Sequence, residues 1–334
     1  MSNSLKNILQ SLLGIAIGGV FLYFTVKGKD LDQVWVSLKN ADLFWVALSS
    51  FFLILVFWLK ALRWKILMHN SDMPISTLDS FNATVIGMFV NAITPKFGEI
   101  VRCTNIRRTN PFKLSNILGS AVSERIWDVL VLLVGVGIIG LIELDKILFL
   151  LKVDEWDDRL LSMNTAGIIL RIALLVGAAV VLWYYRDKFY RWNIVEKLRN
   201  FSKETITTVR LTFKIKRYKS FLFLTFASWF ALVIMNYCFL MSLQETKEFS
   251  MYFAFVVLFI SGIGWAMPSP GGIGTTHWFV LQLFIAFELS EQAGLSFGIL
   301  SNGLNFIYTI IIGIITMIFQ EIRIIKLRKA GKLV

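Results

Sequence analysis

The chain has 334 residues, a formal net charge of +12, 56% hydrophobic residues and only 17% charged ones, with a mean hydropathy of +0.68. A soluble domain of this length carries roughly a quarter charged residues, so the composition excludes an ordinary water-soluble fold. The basic surplus then reads as loops facing anionic inner-leaflet lipid, not as a nucleic-acid surface. Cys103 and Cys238 fit no disulfide or metal spacing, and His69 and His277 are too few for a multi-histidine metal site, so no metal or cofactor is expected.

A spanning helix needs about 20 mostly apolar residues. Segment 5–26 meets this test. It lacks a strongly basic start and a small-x-small cleavage site before Lys27, so it reads as a retained span and not a signal peptide. The loop 27–42 is balanced, with three Lys and three Asp. Segment 43–62 is a second span. Arg63 and Lys65 follow it beside Trp58 and Trp64, which reads as interfacial anchoring on the cytoplasmic side.

The stretch 78–94 is apolar but short. It breaks at Pro95-Lys96-Phe97-Gly98-Glu99 and continues to about residue 110. The second arm carries Glu99, Arg102, Arg107 and Arg108, too much charge for hydrocarbon, which predicts a re-entrant hairpin over 78–110. Helix 114–142 then spans outward to the acidic loop 143–159. Segment 163–185 returns to the connector 186–219, which holds eleven Lys/Arg against three acids with apolar residues between them. That pattern predicts a basic amphipathic helix on the cytoplasmic leaflet. Segment 220–243 spans again. The stretch 250–267, the break Pro268–Gly274 and an arm to about 287 predict a second hairpin, two short complete spans being the alternative. Segment 293–320 is the last span, and the tail 321–334 is basic.

The Lys/Arg bias places both termini in the cytoplasm of a plasma-membrane protein. The expected fold is a single all-α, polytopic transmembrane domain over 1–334, with six transmembrane helices and two re-entrant helical hairpins. Span, span, hairpin, span occurs twice, over 1–142 and 163–320, in opposite orientations. Inverted repeats with broken elements in matching places are a transporter signature, because non-helical backbone at membrane depth survives where it lines a cavity or is packed in protein.

Ionisable residues inside a membrane are costly, which makes them functional candidates. Glu124 and Asp128 share one face of helix 114–142, and Arg125 can pair with Asp128. Glu99 and Arg102 are three apart after the first break. They read either as an ion pair or as two walls of a cavity, and the Arg102 guanidinium is a planar fork suited to phosphate. Asn91, Pro95 and Gly98 shape that break. Pro270, Gly271, Gly272 and Gly274 give the second break close backbone approach and free N–H groups for an anion. His277 and Asn302 could face the same cavity, although a lone His or Asn in a span more often bonds a neighbouring helix.

The motifs Asn91-Ala-Ile-Thr-Pro95-Lys-Phe-Gly98-Glu99-Ile-Val-Arg102, Ser123-Glu124-Arg125-Ile-Trp-Asp128 and Pro268-Ser-Pro270-Gly271-Gly272-Ile-Gly274, in this order, resemble the lysylphosphatidylglycerol synthase transmembrane-region family, also described as flippase-like. The resemblance covers most of the chain. It implies a bacterial or archaeal plasma-membrane protein, a stand-alone member without the soluble synthase domain of two-domain relatives, which translocate an aminoacylated phospholipid. Some relatives are linked to polyprenyl-phosphate sugar transfer. One departure is His277, where the family motif commonly ends in Glu.

The resulting expectation is a flippase or transporter of an anionic lipid, with aminoacylated and polyprenyl-linked lipids among the candidates, and with no catalytic residues and no nucleic-acid partner. The alternatives are a membrane-embedded glycosyl- or phospho-transferase, for which Asp157 and Asp158 form the nearest acid pair, and an envelope scaffold. A homodimer is compatible with the sequence.

Overall fold

The computed structural model of the chain describes residues 3–94, 96–151, 207, 210 and 214–330. Segment 163–185, the pair Asp157/Asp158, Pro95 and nearly all of the connector 186–219 lie outside the described residues.

Every regular element among the described residues is helical. In chain order they are α1 (Asn3–Val26), α2 (Leu31–Lys39), α3 (Leu43–Asn70), α4 (Thr77–Ile93), α5 (Gly98–Arg107), α6 (Leu114–Ile142) and α7 (Leu144–Leu151). After the undescribed stretch come α8 (Tyr218–Ser242), α9 (Met251–Ala266), α10 (Thr275–Ala286) and α11 (Glu291–Lys329). Three of the described helices, α3, α6 and α8, are long and apolar enough to cross a membrane.

Polar caps mark where several helices begin. The Asp30, Asp42, Ser76, Ser250 and Ser290 side chains accept from the first-turn amides of α2, α3, α4, α9 and α11, filling donors that helix geometry leaves open. The balanced loop 27–42 therefore contains a helix, α2, whose one buried side chain is Val34. The acidic loop likewise begins with a short helix, α7, packed on α6 and α10. Helix α3 runs eight residues past the end of the span expected at 62, to Asn70.

The most extensive packing between two described helices is α3 against α8. Each short-arm pair folds on itself, α4 on α5 and α9 on α10. The first arm of each pair also packs on a long helix, α4 on α11 and α9 on α6. Both of these crossings are made by a ring over a glycine, Phe89 over Gly313 and Phe259 over Gly135.

The loops sort to two ends. At one end Glu245 bonds Ser37, Glu291 pairs with Lys29, and Glu143 accepts from the Tyr252 hydroxyl at 3.3 Å. At the other end Glu321 pairs with Arg108, Arg323 meets Asp79 at 2.5 Å, and the Lys216 amide donates to Asn70 at 3.0 Å. Between the ends the outer faces are apolar and open. Leu141 is 87% and Phe226 76% exposed, a surface suited to lipid and costly in water.

Candidate functional site at the junction of the hairpins

The first hairpin turns where Asn91 Oδ1 accepts from the Gly98 amide at 2.8 Å. Gly98 lies against the Gly87 carbonyl and the Asn91 side chain, so a Cβ there would overlap both. Lys96, at the tip, holds a left-handed backbone with φ 61°, uncommon for a side-chain-bearing residue.

The second hairpin turns through Pro270–Gly272, with Gly271, Gly272 and Gly274 all at positive φ. Glycine is the residue that adopts this geometry without steric cost. The Thr275 hydroxyl ties the turn to the Gly264 carbonyl at 2.8 Å, and Ser269 Oγ lies 2.8 Å from the same hydroxyl. Much of the turn's hydrogen bonding is internal: the Ile273 amide donates to the Pro270 carbonyl at 2.9 Å and the Gly274 amide to His277 Nδ1 at 3.3 Å. Helix α11 braces the turn through Asn302, whose Nδ2 donates to the Gly271 carbonyl at 3.0 Å.

The two tips meet. Lys96 Nζ donates to the Trp265 carbonyl at 2.9 Å and lies 4.9 Å from the centroid of its ring. Beside this contact is a cavity of about 180 Å³, lined by Asn91, Lys96, Glu99, Arg125, Trp265, Ser269, Gly271 and Gly272. Arg125 reaches it from α6 and is bound to Glu99 at 2.5 Å.

Behind Arg125 a chain of ion pairs runs into the protein. Arg125 is 3.4 Å from Asp128. Arg63 Nη2 donates to Asp128 at 2.6 Å and to Glu124 at 3.0 Å, and Arg102 donates to the other Glu124 oxygen. Lys60 Nζ is 3.8 Å from Asp128. The Arg102 guanidinium stacks 3.7 Å from the Trp64 ring centroid, and Trp64 Nε1 donates to Ser120 at 3.0 Å. Side-chain exposure is graded, from 0% at Arg63 and 1% at Glu124 to 25% at Glu99 and 28% at Arg125. The inner pairs are therefore fixed in structure while the Glu99–Arg125 pair is open to an incoming group.

The structure thus brings Asn91, Glu99, Arg125, Gly271 and Gly272 to one cavity. Gly98, Pro270, Gly274 and Asn302 shape its two turns. Arg102, Glu124 and Asp128 stand behind it, each occupied by an ion pair. His277, 7% exposed, is used inside the second turn.

One expectation is corrected. Arg63, read with Lys65 as an interfacial anchor after a span, is fully buried within α3, because the helix continues and carries it to the carboxylates of α6. The site residues that the sequence did not single out are Lys60, Lys96, Trp265 and Ser269. A signal existed for Lys60: three residues before Arg63 in a helix, it shares a face with it.

A family model, described as the lysylphosphatidylglycerol synthase transmembrane region, matches residues 11–313. The chain belongs to that family. It is also similar to a UPF0104 membrane protein of Pyrococcus horikoshii, 22% identical over 94% of this chain and 97% of the relative. A second UPF0104 membrane protein, from Methanocaldococcus jannaschii, is 24% identical over 97% of this chain and 98% of the relative. No solved structure matches significantly. In this member of the family all three sequence motifs converge: the first and third form the hairpin turns, and the second supplies Arg125 between them.

Proposed function

We propose that this membrane protein is a flippase-like transporter of an anionic lipid in the plasma membrane, with the headgroup held where the two hairpin tips meet. The observation that carries this reading is the cavity joining both hairpins to Arg125. Its charge balance favours an anion. Together the cavity and the ion pairs behind it hold five cationic side chains, Lys60, Arg63, Lys96, Arg102 and Arg125, against three carboxylates, Glu99, Glu124 and Asp128. At membrane depth such an excess is expensive unless a further anion completes it.

On this reading the chain has six spans and two re-entrant hairpins in an inverted repeat. The matched packing supports it: α4 on α11 answers α9 on α6, and Phe89 over Gly313 answers Phe259 over Gly135. Helices of 17, 10, 16 and 12 residues are too short to cross the bilayer comfortably. The end with Glu143, Glu245 and Glu291 faces outward, and the end with Arg108, Lys216 and Arg323 faces the cytoplasm. Transport is a change in which end the cavity opens to, as broken-helix transporters do.

The test is a leaflet assay. Acyl-labelled phosphatidylglycerol in proteoliposomes becomes accessible to an external quencher faster with the wild-type protein than with Arg125→Ala. Equal rates, or no acceleration over protein-free vesicles, remove the proposal.

A further inference from the structure

We infer that the cavity is a binding site for a single phosphate group, ligated by Arg125 and Lys96, and that Glu99 is a built-in competitor for it. The inference rests on the lipid reading above for the source of the phosphate, and deepens it by naming the recognised group and the residue that opposes it.

Two cations line the cavity, and each is engaged by an oxygen of the protein. Arg125 is bound by the Glu99 carboxylate at 2.5 Å, and Lys96 by the Trp265 carbonyl at 2.9 Å. Both partners present what a phosphate presents, oxygen lone pairs at hydrogen-bond distance, and a guanidinium accepts either in the same planar geometry. The partners differ in strength. A carbonyl carries partial charge and a carboxylate one full charge, whereas a phosphodiester carries one full charge on two free oxygens and can meet both cations at once.

The pairs also differ from those behind them. Arg63, Glu124 and Arg102 are almost wholly buried, so exchange there would leave charges stranded, whereas Glu99 keeps Arg102 at 3.6 Å and Arg125 keeps Asp128 at 3.4 Å when they part. Glu99 and Arg125 are each about a quarter exposed, and water or a headgroup can replace one partner. The volume, about 180 Å³, has room for a phosphate and a few further atoms, with the hydrocarbon left outside.

Binding then has a structural consequence. Lys96 belongs to the first hairpin and Trp265 to the second, so a phosphate that takes Lys96 removes a bond between the two tips. Release of the phosphate lets Glu99 recapture Arg125. Glu99 thereby weakens binding and speeds release, which a carrier requires.

Affinity can be read from the rise in unfolding midpoint of the full chain in detergent during titration with dioctanoyl phosphatidylglycerol, inorganic phosphate, or uncharged dioctanoylglycerol. Glu99→Gln, which keeps the shape and removes the charge, is expected to raise phosphatidylglycerol affinity roughly five- to tenfold, the size of one partly screened ion pair. Glu99→Asp, which keeps the competitor, stays near wild type. Lys96→Gln weakens binding and Arg125→Gln abolishes it, while dioctanoylglycerol gives no shift with any variant. Should Glu99→Gln bind phosphatidylglycerol no better than wild type, or lose it as Arg125→Gln does, the competitor role is overturned. Inorganic phosphate following this order alone supports the phosphate site and counts against a lipid source. Acceleration in the leaflet assay with no gain in Glu99→Gln keeps the transporter and removes this inference.

Discussion

Arg63 holds two carboxylates of a neighbouring helix with one guanidinium nitrogen, and is itself fully removed from solvent. A pair of this kind contributes little net stability against an apolar substitute, but removing one member leaves buried charge without a partner. Arg63→Ala is therefore expected to cost about 3–5 kcal/mol, measured as a lowered denaturant or thermal midpoint in detergent. Arg63→Lys retains the charge and recovers part of that loss. The Arg108–Glu321 pair sets the scale for contrast. It is nearly half exposed on both sides, so Arg108→Ala should change stability by about 1 kcal/mol or less, and raised salt should erase the difference.

At the scale of the element, the hairpins depend on close approach. Gly87 and Gly98 let α4 and α5 touch backbone to backbone, and Gly264 does the same for α9 against α10. The crossings of α9 on α6 and α4 on α11 are also close, because Phe259 fills the space at Gly135 and Phe89 that at Gly313. Gly135→Ala is expected to destabilise by roughly 1–3 kcal/mol through overpacking. Adding Phe259→Ala should restore part of this, since the ring that the new methyl meets is gone. A double-mutant cycle of unfolding midpoints measures this coupling, and strict additivity would show that the two residues do not oppose one another. The same cycle on Gly313 and Phe89 should give the same sign if the two halves are built alike.

At the scale of the whole molecule, the prediction concerns sidedness. The native thiols Cys103 and Cys238 are buried, so they contribute little background to labelling. A membrane-impermeant maleimide applied to intact cells should label Glu245→Cys, at the acidic end. It should label Lys216→Cys only after permeabilisation. The reverse pattern would invert the proposed topology while leaving the fold untouched.

The same scale separates what is legible in a sequence from what is not. The short arms were legible because Pro and Gly interrupt apolar runs too short to span, and the helix bounds at 77–93, 98–107, 251–266 and 275–286 follow those interruptions. The helices α2 and α7 were not, although both are amphipathic, because each is only nine or eight residues long and lies in a stretch read from its charges as a loop. Arg63 was misread because a basic residue beside tryptophans has the same local pattern whether it faces headgroups or a carboxylate 61 residues away.

By itself, the amino-acid sequence determined that the chain is a helical membrane protein, where its described helices break, and which charged residues its motifs carry. These follow from local hydropathy and from backbone rules that act over a few residues. Tertiary structure alone decided how those charges are used. Pairing depends on which helices touch, and that is set by side-chain packing between segments far apart in the chain. So Arg102 and Glu124, as polar in sequence as Glu99 and Arg125, became a buried brace. Glu99 and Arg125, one packing layer further out, became the wall of a cavity.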